Sequence, residues 1–318
     1  MVIKKSKRKF IILIIVIFLL LSSLLVIYSQ NYEYSSSENK ENIVNRTITV
    51  DDDGPADFSR IQDAIFESND GDIITVQPGT YHENLMINKK ISIHGSGPNN
   101  TNITSLGQTH IVLIKKSQVK FSGFTLKFID PEIEELYSLN GIKLENVENV
   151  QFYNNNCPNS TIELFGSTYN SIYNNNCSTI ELTNSNFNNI FNNTIIKTDE
   201  ISGILSIWSE SNTIKDNTLI SCELKLVGTV LSHFNTHTIE NNKIDSKPLI
   251  YLKNANEGEV IHQAGQIILV NCNNILVENQ NPYPRIFNNN LTLVSPVLFL
   301  INSKFIKHLN LYMYINYR

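Results

Sequence analysis

Arginine is almost missing from this chain. Five occur in 318 residues, and none lies between Arg60 and Arg285. Basic charge as a whole is scarce: Lys4, Lys5, Lys7, Arg8 and Lys9 stand before the first apolar run, and the remainder sets 20 basic side chains against 30 acidic ones. Affinity for nucleic acid comes mainly from neutralising phosphates, so this balance excludes a nucleic-acid partner. It argues against a polyanionic glycan for the same reason. Four cysteines, Cys157, Cys177, Cys222 and Cys272, show no C-x-x-C or zinc spacing. Three methionines and seven histidines, without a Met-rich run, supply no recognisable copper site.

The long apolar run is confined to the N-terminus. Residues Phe10 to Tyr28 carry no charge and follow the basic cluster. Nineteen such residues are long enough to cross a bilayer as a helix, and the positive flank should remain cytoplasmic. The segments expected are therefore a cytoplasmic basic stretch (1–9), a transmembrane helix or signal anchor (10–28) and a polar stalk (29–46). A cleaved signal peptide is the alternative, although no A-x-A-like site follows Tyr28.

What the chain has in excess is asparagine, 45 residues. A polar tract of that kind can be disordered, but here Asn alternates with Ile, Leu and Phe, which remain available for a core. One pattern returns: Phe152-Tyr-Asn-Asn, Ile172-Tyr-Asn-Asn, Ile190-Phe-Asn-Asn, Ile214-Lys-Asp-Asn, Ile239-Glu-Asn-Asn and, weakly, Val277-Glu-Asn-Gln. Between the copies lie strand-like pieces: Ile142-Lys-Leu, Ile162-Glu-Leu, Ile180-Glu-Leu, Leu205-Ser-Ile, Leu224-Lys-Leu, Ile250-Tyr-Leu and Ile267-Ile-Leu. The first pattern steps by 20, 18, 24, 25 and 38 residues. All but the last step are too short for a βαβ unit of ~30 residues, and the period of two inside each marks strands. Short strands in stacked coils of ~20 residues make a solenoid in which each coil touches only its neighbours. Asn suits the left-handed turn positions between strands, and stacked amides can hydrogen-bond along the axis. Asn154/Asn174/Asn192 and Asn155/Asn175/Asn193 are the candidate columns.

The domain opens with a strand over Thr47 to Val50, then Asp51-Asp52-Asp53-Gly54-Pro55. Phe58, Ile61, Ala64 and Ile65 follow at helical spacing, with Asp57 or Ser59 as N-cap. Such a helix would cover the first coil and its open edge. The run IQDAI…DGDIITVQPGTYHENLMINKKISIHG resembles the opening of pectin-lyase-like β-helix proteins, and in particular the NosD-like family of archaeal and bacterial surface or periplasmic proteins. The later stretch from Lys247 to Ile275 is similar to the same family. The resemblance implies an all-β, right-handed parallel β-helix over 47–281 with an N-terminal capping helix, and the apolar run places one transmembrane helix before it. Residues 282–318 form an atypical tail, a possible last coil or a truncated or frameshifted continuation.

The resemblance is far less informative about chemistry, because this fold hosts lyases, hydrolases, esterases and plain binding proteins. Pectate lyases of the fold use a basic residue, commonly Arg, and no coil here supplies one. The Gly-x-x-Asp-Phe-x-x-Gly-like segment of pectin methylesterases is absent. Polygalacturonases need clustered Asp, whereas Asp130, Asp199, Asp216 and Asp245 are scattered. Glu163 and Glu181 occupy equivalent positions of adjacent coils and are the candidate catalytic pair, since carboxylates ~5 Å apart suit a retaining glycosidase; a mixed-charge surface ladder with Lys143 and Lys225 is the competing reading. Tyr153, Tyr173 and Phe191 form an outward aromatic column, a candidate ligand-binding stripe or a column that pairs with itself. Asp51, Asp52 and Asp53 are candidate calcium ligands or simply an acidic turn; no other cofactor is expected. Cys157 and Cys177 are coil-equivalent, as free thiols, a disulfide or a copper site. Seven sequons, at Asn45, Asn99, Asn102, Asn159, Asn176, Asn192 and Asn290, are compatible with a glycosylated exterior.

The expected function is a non-catalytic, membrane-anchored surface protein that binds carbohydrate or envelope components. The alternatives are a polysaccharide-active enzyme (lyase, hydrolase or epimerase) and a NosD-like accessory protein in copper-enzyme maturation.

Overall fold

The computed structural model describes residues 45–105, 107, 110–129, 141–198, 202–260 and 263–277, with the backbone of strands Val297–Ile301 and Lys304–His308. The proposed membrane segment 10–28, most of the stalk, the Pro282–Arg285 break and Asn290 lie outside these residues. Among the described residues no helix is long and apolar enough to cross a membrane.

The described chain is a mostly-β parallel solenoid of about eight turns. Its first face is a ladder of nine parallel strands from Thr47–Val50 to Thr238–Glu240. The second and third faces share one large sheet, joined through the long strands Asn156–Phe165 and Asn176–Thr183, which run across both. The repeated apolar residues stand in one inward column, Phe152, Ile172, Ile190, Ile214 and Ile239, each in register with the next and buried. Phe121 and Phe152 stack inside with centroids 5.5 Å apart. The sixth copy, Val277, belongs to a different ladder, where it pairs with Val260 and His308.

Every turn position can be counted from that column. Two residues after it, Asn154, Asn174, Asn192, Asp216 and Asn241 all have φ between 53° and 56°, the left-handed region that Asn tolerates. Three residues after it, Asn155, Asn175, Asn193, Asn217 and Asn242 are buried and form a continuous amide ladder, with Nδ2–H to Oδ1 distances of 3.3, 3.1, 3.1 and 2.9 Å. Each of the last four also receives a backbone N–H from the preceding coil on the same Oδ1. A second ladder runs two residues before the column, Asn170 to Asn188 to Asn212, and ends on His237. Five residues before it, Ser167, Ser185 and Ser209 accept backbone N–H groups in the same way. The ladders let sharp turns be buried without orphaned polar groups, which would cost ~1–3 kcal/mol each.

Two local features differ from the sequence expectation. The helix spans Ile61–Glu67 and buries Ile61, Ala64 and Ile65, but neither Asp57 nor Ser59 caps it. Asp57 is drawn to Thr49 instead, and the buried Glu83 carboxylate, 21 and 22 residues away, accepts the first two helical N–H groups at 2.8 and 2.9 Å. On the third face, Ile204 and not Leu205 pairs with Ile180, so Leu205 stands in the Glu181 column and Ser206 is buried. A slip of one residue exchanges the two faces of a strand.

At the far end the path reverses. Lys243–Ile244 pairs antiparallel with Lys247–Lys253 through a two-residue turn, Asp245 (φ 48°) and Ser246 (φ 70°). Beyond it the strands are again parallel among themselves and enclose a second small core of Ala264, Ile267, Leu269, Cys272 and Ile275. Strand Gln266–Val270 is buried throughout, and the Gln266 amide bonds both Leu224 N–H (3.0 Å) and Leu224 C=O (2.7 Å). A side chain thus replaces the missing next strand at Leu224.

Candidate functional site

The outward column of the third face reads Met86, Leu113, Lys143, Glu163, Glu181, Leu205 and Lys225. Glu163 and Glu181 do occupy adjacent rungs. Their surroundings differ: Glu163 is only 6% exposed and pairs with Lys143 at 3.2 Å, while Glu181 is half-buried and accepts the Thr183 hydroxyl at 2.9 Å. The Lys143 ammonium in turn lies 4.9 Å from the centroid of the Phe165 ring. Glu163 is thus buried in an ion pair with Lys143, and Glu181 is held by a neighbouring hydroxyl.

The outward column of the first face brings Tyr153, Tyr173 and Phe191 together, with both centroid separations 4.8 Å and both interplanar angles 3°. The rings stack along the solenoid axis, so Tyr173 has a ring against each face, and all three are half-buried. His94 and Ser122, bonded at 2.9 Å, precede Tyr153 in the column, and Lys215 lies 5.9 Å from the Phe191 centroid at the other end. Burial, helped by neighbouring Tyr153, raises the Tyr173 hydroxyl above its ordinary range.

The ligand atoms of Asp51, Asp52 and Asp53 lie within 4.8 Å of one another, close enough to hold a hard cation. Asp52 accepts Thr80 N–H at 3.0 Å and Asp51 accepts Asp53 N–H at 3.4 Å, bonds that also fold the loop on itself. Burial first, and then the charges of Asp52, Asp51 and Asp53, push the Tyr81 hydroxyl up to about 12. Cys157 and Cys177 stack in register as buried free thiols, and burial pushes both up. On the second face a groove of about 480 Å³ opens between Thr80, His82, Thr104, Lys127, Pro158 and Asn159. Of the sequons, Asn45, Asn99, Asn159 and Asn192 are exposed, and Asn102 and Asn176 are half-buried.

A second set of aromatics sits on the turn from the third face to the first. Tyr169 and Phe187, three residues before Ile172 and Ile190, have φ of 56° and 58°, and Trp208, six before Ile214, has φ 47°. The equivalent turn positions elsewhere hold Asn149 and Ser211, or Asn146, Gly166 and Asn184. A bulky residue in this region is a backbone outlier costing ~1–2 kcal/mol. The rings are also exposed: Tyr169 53%, Phe187 46% and Trp208 48%, and Phe165, the last residue of the strand that leads into this turn, is 39% exposed. Tyr169 and Phe187 stack with centroids 5.2 Å apart. The sequence signal for these positions is their fixed offset before the repeated apolar column, three residues for Tyr169 and Phe187 and six for Trp208.

The chain matches no protein-family model. It is 32% identical over 107 residues to a cell surface glycoprotein of Methanothermus fervidus, a match that takes in 33% of this chain and 16% of that protein. Among solved structures, an alginate lyase from Paenibacillus sp. shares 12% identity with a TM-score of 0.44, covering 81% of this chain and 99% of that one. A pectin methylesterase solved with a hexasaccharide shares 12% identity with a TM-score of 0.43, covering 74% of this chain and 82% of that one.

Proposed function

We propose that the protein is an extracytoplasmic surface protein, a right-handed parallel β-helix held to the membrane by residues 10–28, that binds carbohydrate or envelope components without cleaving them. The observation that carries this reading is the state of Glu163 and Glu181. Among the described strand registers they are the one pair of carboxylates on adjacent rungs, and Glu163 is buried against Lys143. General acid–base work needs a group within reach of the substrate proton it moves, and an ion-paired, buried carboxylate is a poor candidate. The similarity to part of a cell surface glycoprotein supports an exterior location.

The reading is tested by passing the full-length chain, in mild detergent, over immobilised polysaccharides and assaying the eluate for new reducing ends and unsaturated products. Retention without product is expected. Product formation that disappears in Glu163→Gln would establish the enzyme instead. Protease treatment of intact cells should digest the region after residue 46 and spare residues 1–9; the opposite pattern would reverse the proposed orientation.

A further inference from the structure

We infer that the turn edge bearing Phe165, Tyr169, Phe187 and Trp208 is a binding platform for an uncharged polysaccharide, a proposal that rests on the carbohydrate reading above and assigns it a site. The first observation is that the fold does not require these residues. At the same turn positions other coils use Asn, Gly or Ser, and this chain has Asn in abundance. Three bulky rings instead occupy left-handed backbone and are about half exposed, so the sequence gives up both backbone comfort and apolar burial here. Strained outliers that the fold does not need point to function, as do large exposed apolar groups gathered on one patch.

The second observation is the order of the rings. Tyr169 and Phe187 share one turn position on successive coils, and Trp208 stands three residues earlier in the turn of the next coil. Parallel strands repeat every ~4.8 Å, a length close to one pyranose unit, so a chain lying along the axis meets a new turn with each sugar. Tyr169 and Phe187 cover one face of each other, whereas Trp208 stacks on no other ring among the described residues and offers its indole to the C–H face of a sugar. This differs from the column at Tyr153, Tyr173 and Phe191, where stacking on both sides hides the central ring.

Charge selects the ligand. Lys143 is matched by Glu163, Glu210 takes the Ser232 hydroxyl at 2.6 Å, and the exposed Glu148 adds a negative charge on the neighbouring coil. A polyanionic glycan or an anionic lipid surface would meet repulsion here, while the Asn and Ser side chains along the turn suit hydroxyl groups.

The test replaces each ring by the residue that its own fold position favours, in the triple variant Tyr169→Asn, Phe187→Asn and Trp208→Asn. Its melting temperature should equal or exceed that of the parent, which removes misfolding as an explanation. Retention of the full-length chain on cellulose, chitin or mannan should fall at least tenfold in the variant, and the parent should pass pectate and alginate unretained. Unchanged retention of the variant overturns the platform and leaves the carbohydrate reading standing, as does loss of retention in Tyr173→Ala alone. A parent retained by none of the three neutral polysaccharides overturns both. If the variant instead loses self-association with its retention intact, the edge binds a second copy and the polysaccharide assignment fails.

Discussion

At position 237 a histidine stands where Asn170, Asn188 and Asn212 stand in the preceding coils. Its Nδ1 accepts the Asn212 N–H at 3.2 Å and its Nε2–H donates to the His233 carbonyl at 3.0 Å, so the buried ring must be neutral to close the ladder. Burial lowers its pKa to about 4; nearby Lys253 adds to the shift, and the His233 carbonyl and Glu210 oppose it. A depressed folded-state value means that acid favours the unfolded chain, where histidine titrates near ~6.5. The contribution of neutral His237 is therefore complete above pH ~6.5 and is lost as the pH falls toward 4, on the order of 3 kcal/mol over that window. Thermal melts between pH 7 and 4 should show this loss, and His237→Asn, which restores an amide acceptor, should flatten it. An unaltered slope in that variant would assign the acid sensitivity to other groups. Position 237 is legible in the sequence in retrospect, since it lies two residues before Ile239 just as Asn212 lies two before Ile214; what concealed it was the change of residue type.

Within one coil, the adjacent residues Asn192 and Asn193 do different work. Asn192 is exposed at φ 55°, and its task is conformational. Asn193 is 1% exposed, and its Oδ1 receives both Asn175 N–H and Asn175 Nδ2–H while its own amide reaches Ile172 C=O and Asn217 Oδ1. Asn192→Gly should be neutral or slightly stabilising, because glycine enters the left-handed region freely. Asn193→Leu should cost roughly 2–5 kcal/mol by leaving several buried groups unpaired. Chemical denaturation of the two variants separates the roles, and equal losses would refute the division. The Asn-Asn repeat announced both columns at once, since identical residues recur at a fixed offset from the apolar column. The register at Leu205 was not legible, because Ile204 and Leu205 are both apolar. Tertiary contact resolves it: Gly203, at φ 143°, runs so close to Glu223 that an added Cβ would lie 2.2 Å from its carbonyl oxygen. The Glu83 cap escaped for a related reason, as its partners are distant in sequence and local capping rules see only Asp57 and Ser59.

For the molecule as a whole, the two ends are closed by different means. The N-terminal helix covers the first coil, whereas the strand around Gln266 arrives after the Asp245–Ser246 reversal and covers the other end. The sequence showed the first closure through helical spacing and not the second, because Asp-Ser is a weak hairpin signal beside Asn-Gly and one glutamine carries the contact. Gln266→Leu should lower stability by ~1–3 kcal/mol and expose Leu224 to pairing with another chain. Light scattering should then show concentration-dependent association absent from the parent, and a strictly monodisperse variant would mean that the strand covers the end without the amide. The amide ladders have one more consequence. From Asn155 to Asn217 each amide sends one Nδ2–H to the Oδ1 of the next coil, while from Asn175 to Asn242 another returns to a main-chain carbonyl of the preceding coil, so the row of side-chain bonds has a head and a tail. Such a row can be lengthened by duplicating a coil, since each new amide finds the same acceptor ahead and the same donor behind. It cannot be inverted, because a coil inserted the other way round would set donor against donor and acceptor against acceptor; growth by repetition is permitted in this molecule in one direction only.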